Sequence, residues 1–336
     1  MASDTFQSIT IEGFKSIRSI KDLNLRPINV LIGANGSGKT NFLDAFVFLD
    51  KALTHRMDAY VVEQGGASHL LHYGPKVTKI IHVLLFSDLH YQSPSAVYSY
   101  AGDDSLAGGT GLGGFVGSQE PSFRRYQFND TSKSSPLKRT NQVDDNRFLH
   151  TDGKNLAAFL YLLKQKHQKS YDLVRKTIQQ VAPFFDDFQL EPLALNPNTI
   201  KLEWRHVGSD DYFDASSFSD GTLRFIALAT LFLQPLELRP SVILVDEPEL
   251  GLHPYAIELL ASLIKQASKE TQVIAATQSS LLLDQFDPED VLVADRVDGA
   301  TTIKRLEPEP LAEWLKEYSL GQLWEKGELA GRPGKE

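Results

Sequence analysis

Short apolar runs alternate along this chain with longer segments in which apolar residues recur at helical spacing. The run at 28–32 predicts a buried strand, and alternating or β-branched residues predict further strands at 8–14, 76–86 and 96–100. Apolar positions three and four residues apart predict a helix over 41–56. Strands and helices that follow one another in this way are typical of an α/β protein.

The second half of the chain shows the same alternation. Further strands are predicted near 188–194, 199–205, 242–247, 273–276, 291–295 and 301–305. Helices are predicted over 153–168, 170–182 and 254–268, and the segment 215–224 is predicted to open an apolar helix that runs through Leu233. A last helix is predicted after residue 306, where apolar residues recur at helical spacing at Leu311, Trp314, Leu315 and Tyr318.

Two segments between these halves differ in character. Residues 101–150 are rich in glycine and serine and predict a flexible insertion, with glycines at Gly108, Gly109, Gly111, Gly113, Gly114 and Gly117. The two helices that follow predict a short helical hairpin. The expected divisions are an N-terminal lobe, the insertion, the hairpin, a second lobe and a helical tail, at 1–100, 101–150, 151–187, 188–305 and 306–336.

Composition narrows the classes of protein that fit this pattern. The 336 residues include no cysteine, which excludes disulfides and thiolate metal sites. The longest apolar run, Ile226 to Leu233, is too short to span a bilayer, and the first residues lack the features of a signal peptide. We therefore expect a cytoplasmic protein without a membrane segment. The net charge of −9 does not favour nucleic-acid binding by the molecule as a whole.

The most specific chemical signal follows the strand at 28–32. Residues 33–40 read Gly-Ala-Asn-Gly-Ser-Gly-Lys-Thr, the P-loop pattern, between a predicted strand and a predicted helix. Backbone N–H groups of such a loop surround phosphate oxygens, and the helix start adds a positive partial charge. Lys39 is expected to reach the β- and γ-phosphates, and Thr40 to hold Mg²⁺. The loop residues expected to bind nucleotide are Gly33, Asn35, Gly36, Ser37, Gly38, Lys39 and Thr40.

Two carboxylates end the apolar strand at 242–247. Four apolar residues precede Asp246 and Glu247, and Pro248 follows, which argues against an ordinary surface pair. The pattern is that of a Walker B strand. Asp246 would hold the Mg²⁺ hydration shell, and Glu247 would polarise the attacking water as general base.

A third segment lies at a predicted helix start. Ser219 and Gly221 offer a hydroxyl and a backbone N–H beside the helix N-terminus, which together can form an anion site. The same residues also suit a simple N-cap. The order of the motifs along the chain favours the anion site: P-loop, inserted region, this segment and then the Walker B strand.

In that order the motifs resemble ABC-type ATPase heads of the RecF/SMC/OLD-like group, often labelled AAA-family ATPases. The resemblance rests on Gly-Phe-Lys-Ser at 13–16, Phe-Ser-Asp-Gly-Thr at 218–222, Asp-Glu-Pro-Glu-Leu-Gly-Leu-His-Pro at 246–254 and Thr-Gln-Ser at 277–279. It implies a P-loop fold with a mixed central sheet, flanking helices, an antiparallel β lobe and a small inserted helical hairpin. We expect neither the long coiled coil of SMC proteins between the two motif halves nor the fused nuclease domain of OLD proteins after residue 310.

The resemblance also implies how the residues work. ATP would lie between two copies of the chain, with Lys39 and Glu247 of one copy facing Ser219 and Gly221 of the other. Lys15, Ser16 and Asn41 would lie near the nucleotide, and Gln64 is a candidate for a metal-contacting glutamine. Ordinary solvation is the alternative for Lys15.

Two positions depart from the usual pattern of such heads. Asp220 places a carboxylate in the signature segment, and Gln278 stands where many relatives have histidine. A glutamine amide can bond to phosphate or water but cannot carry a proton as imidazolium does. Gln278 is therefore expected to assist hydrolysis only weakly, and turnover is expected to be slow. His253 is expected to orient the loop after the Walker B strand.

The resulting expectation is an ATP-hydrolysing homodimer that acts as a switch in DNA transactions or anti-phage defence, with a separate effector such as a nuclease. The alternative is a nucleotide-gated scaffold that hydrolyses ATP rarely and holds its effector through the region of Trp314, Tyr318 and Trp324, which ordinary core packing would also explain. A basic stretch on the hairpin could contact nucleic acid, although a solvated face is the simpler interpretation. Its residues are Lys164, Lys166, Lys169 and Arg175.

Overall fold

Strands and helices form where the apolar residues alternate or recur in the sequence. The computed structural model describes residues 5–87, 93–113 and 122–329. Its strands are β1 (Ser8–Phe14), β2 (Ile17–Asn24), β3 (Ile28–Ile32), β4 (Ile80–Phe86), β5 (Ser93–Gly102), β6 (Ser105–Gly113), β7 (Phe123–Tyr126), β8 (Asn141–Gln142), β9 (Phe185–Gln189), β10 (Pro192–Leu193), β11 (Asn196–Ile200), β12 (Glu203–His206), β13 (Tyr212–Asp214), β14 (Val242–Asp246), β15 (Gln272–Thr277), β16 (Val291–Val297) and β17 (Ala300–Arg305).

The α-helices are α1 (Lys39–Leu53), α2 (Met57–Glu63), α3 (Leu156–Lys166), α4 (Gln168–Val181), α5 (Asp220–Leu233), α6 (Pro254–Ala267), α7 (Ser280–Leu283) and α8 (Leu320–Lys326). By its contacts the chain divides into two units. The first consists of Met1–Arg125, Pro240–Asp246 and Thr271–Glu336, and the second of Tyr126–Arg239 and Glu247–Glu270. No helix in the described part of the chain is long and apolar enough to cross a membrane.

The first unit contains two sheets. The larger has the strand order β17-β16-β3-β15-β14-β7, and β16, β3, β15 and β14 within it are parallel. The other is antiparallel, with the order β2-β1-β4-β5-β6. Helix α1 contacts strands of both sheets. Phe42 and Phe46, four residues apart, share one buried face of α1, and Phe48 is buried on another face, against Phe14 and Tyr98.

The second unit contains two small antiparallel sheets and the helices α3 to α6. The sheet orders are β10-β11-β8 and β13-β12-β9. Helix α5 contacts both α4 and α6 and is almost entirely buried, as its run of apolar residues requires. Trp204 of β12 stacks on Phe218, with ring centroids 4.5 Å apart, just before α5 begins.

The fold class predicted from the sequence is confirmed: a mixed central sheet with helices, an antiparallel β lobe and a helical pair between the two motif halves. The division at 101–150 differs from the expected flexible insertion. Residues 105–113 form β6, paired with β5 along its length, and 123–126 form β7. The pattern obscured β6 because glycine has a low strand propensity although its backbone can join a sheet. Gly114 and Gly117 lie outside the described residues.

The C-terminal region also differs from the single predicted helix. Two short 3₁₀ turns, Glu309–Leu311 and Trp314–Lys316, precede the seven-residue α8. Ser319 starts α8 through a capping box with Gln322, so this helix begins separately from the two turns. Trp314 is half exposed rather than packed in a core, and residues 330–336 lie outside the described part of the tail.

Candidate functional site

The P-loop lies between β3 and α1 in the first unit. Gly36 and Gly38 have φ angles of 79° and 100°, a left-handed conformation that glycine adopts without strain. A Cβ atom on Gly38 would lie 2.0 Å from Oγ1 of Thr301, so no larger residue fits there. The strand, the tight loop and the helix start therefore follow one another as the sequence predicts.

The loop has features that suit a phosphate ligand. The Ser37 hydroxyl oxygen is buried and has no hydrogen-bond partner among the described residues. A Cβ atom on Gly36 would meet nothing within 4 Å, so the loop is open at this point. Lys39 is 6% exposed, and its ammonium donates to the carbonyl oxygens of Gly33 (2.6 Å) and Ala34 (3.0 Å) across the loop. A triphosphate would supply acceptors for both groups.

Thr40 and Asp246 lie together at the carboxyl edge of the parallel strands. The Thr40 hydroxyl donates to Oδ2 of Asp246 over 3.2 Å. Asp246 is 6% exposed at the end of β14, opposite Ala276 of β15, while Thr277 lies opposite Ile32 of β3. The register of three strands thus brings the hydroxyl and the carboxylate to one point.

This pair fits a magnesium site of the nucleotide-bound kind. Magnesium is usually held by one or two protein oxygen ligands together with substrate phosphates and water. No cluster of three or more His, Asp or Glu side chains suited to a metal occurs within residues 5–87, 93–113 and 122–329. Thr40 and Asp246 would therefore hold Mg²⁺ only together with a bound phosphate.

Glu247 follows Asp246 directly and has an unusual backbone. Its φ angle is 48°, which is uncommon for a residue with a side chain. The turn continues with the Leu250 N–H donating to the Glu247 carbonyl over 3.2 Å. His253 ends the turn, and its Nδ1 accepts from the Tyr255 N–H over 3.4 Å, so it caps α6. This supports the orienting role expected for His253.

The signature segment begins α5 in the second unit. The Ser219 hydroxyl accepts from the Thr222 N–H over 3.1 Å and lies 2.8 Å from the Thr222 hydroxyl. Ser219 is therefore an N-cap, the simpler of its two expected roles, while the anion-binding role stays a prediction. A Cβ atom on Gly221 would lie 2.5 Å from the Gly251 carbonyl oxygen, so the helix start is in close contact with the turn after Glu247.

Arg224, within α5, connects this helix to the backbone at residues 128–129. It is 5% exposed and donates to the backbone carbonyls of Phe128 and Asn129, each over 3.1 Å. Burial lowers the pKa of its guanidinium. The motif pattern did not single out Arg224, because its partners are backbone oxygens about 95 positions away.

Lys15 and Gln64 lie in one polar cluster of the first unit. The Lys15 ammonium is 2.6 Å from Oδ2 of Asp44 and donates to Oε1 of Gln64 over 3.0 Å. Arg125 forms an ion pair with the other oxygen of Asp44. The nearby Tyr60 phenol has its pKa raised by burial and by the Asp44 charge. Gln64 is thus engaged with Lys15, and its metal-contacting role stays a prediction.

Ser16 and Asn41 meet beside the P-loop. The Asn41 amide donates to the Ser16 hydroxyl over 2.7 Å, and Ser16 Oγ lies 2.7 Å from Oγ1 of Thr301. Gln278 directly follows β15, beside the end of β3, and precedes Ser279, which caps α7. Asn35 lies in the loop itself. Sequence reasoning missed Thr301, since nothing near it on β17 resembles a phosphate-binding motif.

Two family models match the chain. The "AAA ATPase domain" model matches residues 6–194, and a second AAA domain model, whose description names the AbiEii toxin and a type IV TA system, matches residues 112–284. The chain belongs to the AAA ATPase family. No curated protein gives a match.

Solved structures similar to this AAA ATPase include SMC head domains. An SmcHead bound to the C-winged helix domain of ScpA has a TM-score of 0.65 at 18% identity, over 92% of this chain and 99% of that one. The Pyrococcus furiosus Smc head with an extended coiled coil, bound to the C-terminal domain of ScpA, has a TM-score of 0.61 at 17% identity, over 93% and 98%.

The SMC head domain from Thermotoga maritima has a TM-score of 0.51 at 17% identity, over 90% of this chain and 99% of that one. Identities this low compare folds rather than activities. Together with the family models they confirm the predicted resemblance of this AAA ATPase to ABC-type, RecF/SMC-like heads.

Proposed function

We propose that the protein hydrolyses ATP to ADP and phosphate and that two copies close around the nucleotide. The observation that carries the proposal is the meeting of Thr40 and Asp246, 3.2 Å apart, at the mouth of a P-loop whose Ser37 hydroxyl is buried without a partner among the described residues. Burial of a hydroxyl and a carboxylate costs free energy, and an apolar pair would pack better at this point. Their presence therefore favours a binding role.

The residues of the first unit would bind the nucleotide. Backbone N–H groups of the loop and the Lys39 ammonium would contact the β- and γ-phosphates, while Thr40 and Asp246 would hold the metal. Bound Mg²⁺ would neutralise charge on the phosphate oxygens. Ser16 and Asn41 border this region through their contacts with each other and with Thr301, and Lys15, which pairs with Asp44, would lie near the nucleotide as the resemblance implies.

Glu247 would act on the attacking water. Its carboxylate would accept a proton as the water oxygen bonds to the γ-phosphorus and the bond to the bridging oxygen breaks, which releases ADP and phosphate. Gln278 would orient the phosphate or the water by hydrogen bonding. Because an amide does not take up the proton, we expect slow turnover, and a rate on the order of hundreds per second would contradict this.

A second copy would complete each site. Ser219 and Gly221 at the start of α5 would face the γ-phosphate held by the partner copy, with the helix N-terminus adding positive partial charge. The proposal follows the resemblance to ABC-type heads, in which ATP lies between two such surfaces. Nucleotide binding and dimerisation would then be coupled.

The proposed biological role is that of a switch that controls a separate effector, in DNA transactions or anti-phage defence. The family model that names the AbiEii toxin and a type IV TA system supports the defence setting. Two similar SMC heads were solved with bound ScpA domains, which supports a protein partner. A separate nuclease is the effector class that we favour.

The test uses the full chain with and without Glu247→Gln. The variant should lose phosphate release and accumulate as an ATP-bound dimer in sedimentation velocity with ATP and Mg²⁺, because binding is retained while the water is not activated. Glu258→Gln, an exposed carboxylate on α6, is the matched control and should behave as wild type.

Two results would count against the proposal. A Glu247→Gln chain that stays monomeric with ATP and Mg²⁺ would overturn the dimer. A wild type that binds ATP but releases almost no phosphate would favour the nucleotide-gated scaffold instead. In that case substitution of Lys39 should change the cellular phenotype, whereas substitution of Glu247 should not.

A further inference from the structure

A chain of side-chain hydrogen bonds connects the start of α1 to the last strand of the central sheet. The Asn41 amide donates to Ser16 Oγ over 2.7 Å, and Ser16 Oγ lies 2.7 Å from Thr301 Oγ1. Thr301 Oγ1 in turn donates to the Ser37 carbonyl oxygen over 2.9 Å. This series of hydrogen bonds therefore ends at a backbone carbonyl of the P-loop.

The donors in this chain can be assigned from the chemistry of the groups. Each hydroxyl has one proton to donate. Thr301 uses its proton on the Ser37 carbonyl, so the Ser16 hydroxyl must be the donor to Thr301. Because the Ser16 hydroxyl has then used its one proton, the Asn41 amide, which carries two N–H donors, is the donor to Ser16. All the bonds thus run in one direction, an arrangement in which each bond polarises the next.

Thr301 is buried, and its backbone is fixed by a hydrogen bond. It is 1% exposed, and its own N–H donates to the Ser16 carbonyl over 2.8 Å. The Thr301 hydroxyl also fills the space beside Gly38, where a Cβ atom would approach it to 2.0 Å. The contact between β17 and the loop is therefore both a hydrogen bond and a close packing.

The bond to Ser37 orients a neighbouring donor. The Ser37 carbonyl and the Gly38 N–H belong to one peptide unit, and in a trans peptide they point in opposite directions. A hydroxyl that holds the carbonyl toward β17 therefore directs the Gly38 N–H away from β17. Gly38, with a φ of 100° and no side chain, could otherwise let this peptide rotate at low cost.

We propose that Thr301 is a positioning residue for nucleotide binding: its hydroxyl fixes the Ser37–Gly38 peptide so that the Gly38 N–H faces a bound phosphate. The inference rests on the proposed function, since it assigns a role toward the same triphosphate. It adds to the residues that support the P-loop one residue of β17 that is distant in sequence from every motif.

The test compares Thr301→Val with Thr301→Ser in the full chain. Valine keeps the shape and removes the hydroxyl, whereas serine keeps the hydroxyl. We expect Thr301→Val to raise the Kd for ATPγS with Mg²⁺, measured by calorimetry, about tenfold, the effect of one lost hydrogen bond. Thr301→Ser should stay within about twofold of wild type.

Thr302→Val is the matched control. Thr302 is the next residue on β17, and its hydroxyl contacts the Asp295 carbonyl of β16 rather than the P-loop, at 3.5 Å. This variant should bind ATPγS as wild type does. In steady-state assays Thr301→Val should raise KM about tenfold with kcat within about threefold, because the Gly38 N–H that Thr301 positions would contact the phosphate both before and during the reaction.

The outcomes separate the inference from the proposed function. If wild type binds ATPγS and a folded Thr301→Val, verified by thermal unfolding, binds it equally well, the inference is overturned while the ATPase proposal stands. A serine variant as weak as the valine variant would also overturn it, since packing rather than the hydroxyl would then be responsible. A wild type that binds no nucleotide would overturn both.

Discussion

The Thr40 hydroxyl donates to the Asp246 carboxylate over 3.2 Å, although 206 positions separate the two residues in the chain. The contact exists because β3 and β14 both pair in parallel with β15, with Leu31 and Asp246 both opposite Ala276. Parallel strands end at the same sheet edge, so the helix start after β3 meets the carboxylate at the end of β14.

Removal of the Thr40 hydroxyl should weaken the magnesium dependence of nucleotide binding. Thr40→Val keeps the size of the side chain but offers no oxygen ligand, and we expect the gain in ATPγS affinity on adding Mg²⁺ to fall by about tenfold or more. Thr40→Ser should retain the gain. Calorimetric titrations with Mg²⁺ and with EDTA measure it, and an unchanged gain in the valine variant would exclude Thr40 as a ligand.

Lys15 should stabilise the fold through Asp44. The ion pair is largely buried, with side-chain exposures of 15% and 11%, so Lys15→Ala leaves a carboxylate with Arg125 as its remaining ionic partner among the described side chains. We expect a loss of about 1–3 kcal/mol in the free energy of unfolding by urea.

The matched control is Lys21→Ala, which removes an exposed pair with Glu12 and should cost less than about 1 kcal/mol. Equal losses in the two variants would mean that Lys15 lies in a solvated environment, the alternative expected for it from the sequence.

Asp50 should make stability depend on pH in a recognisable direction. Burial raises its pKa above the ordinary 3.8, although the Phe123 N–H bonds to it. A carboxyl whose pKa is raised in the folded state keeps its proton to a higher pH there than in the unfolded chain. The fold therefore loses stability as pH rises from 3.8 through the raised value. Asp50→Asn removes this loss and should unfold at a higher temperature than wild type at pH 7.

The advantage of Asp50→Asn should shrink as the pH falls and should disappear below the ordinary pKa, where Asp50 is protonated in both states. Differential scanning calorimetry between pH 3 and pH 7 follows it. Asp58→Asn, an exposed carboxylate on α2, is the control. An Asp50→Asn variant that is less stable at pH 7 than at acid pH, relative to wild type, would contradict the assignment.

Gly221→Ala should disturb the turn that follows Glu247. The new Cβ atom would lie 2.5 Å from the Gly251 carbonyl oxygen, a backbone atom that cannot move aside cheaply. We expect a cost of about 1–3 kcal/mol in stability and a reduced phosphate release. Gly109→Ala, where a Cβ atom meets nothing within 4 Å, is the control and should change neither measurement.

The basic residues of the helical pair divide into two groups, which sharpens the nucleic-acid hypothesis. Lys164 lies 3.4 Å from Asp187 and donates to the Phe188 carbonyl over 3.2 Å, so its charge serves an internal contact. Lys166 and Lys169 are exposed.

If this surface contacts a phosphate backbone, Lys166→Glu with Lys169→Glu should abolish salt-sensitive binding of double-stranded DNA in a filter assay. Lys269→Glu, an exposed lysine on the loop after α6, is the control. Binding that persists unchanged in the double variant would remove this surface from consideration.

Much of the candidate site could be predicted because its residues follow one another in the chain. The strand, the loop at 33–40 and the helix that begins at Lys39 form a local unit, and the glycines mark its turns. Glu247 was predictable for the same reason, because an apolar strand leads directly to it. Each of these signals depends on neighbours within about ten residues.

The contacts that support the site could not be predicted from local patterns. Thr301 bonds to Ser37 across 264 positions, and Arg125 reaches Asp44 across 81. Such pairs depend on sheet order, which hydrophobic periodicity does not specify. Strand β6 was missed for a different reason, since its glycines match a loop in composition while its backbone pairs with β5.

The position of β3 in the sheet has a consequence for synthesis of the chain. β3 lies between β15 and β16, and its partners are residues 273–277 and 291–293, which leave the ribosome long after it. Until then the nascent chain has an unpaired apolar strand, and non-local pairing of this kind forms slowly. A growing polypeptide should therefore depend on chaperones during this interval, and it should first acquire affinity for nucleotide only after residues 291–293 have left the ribosome.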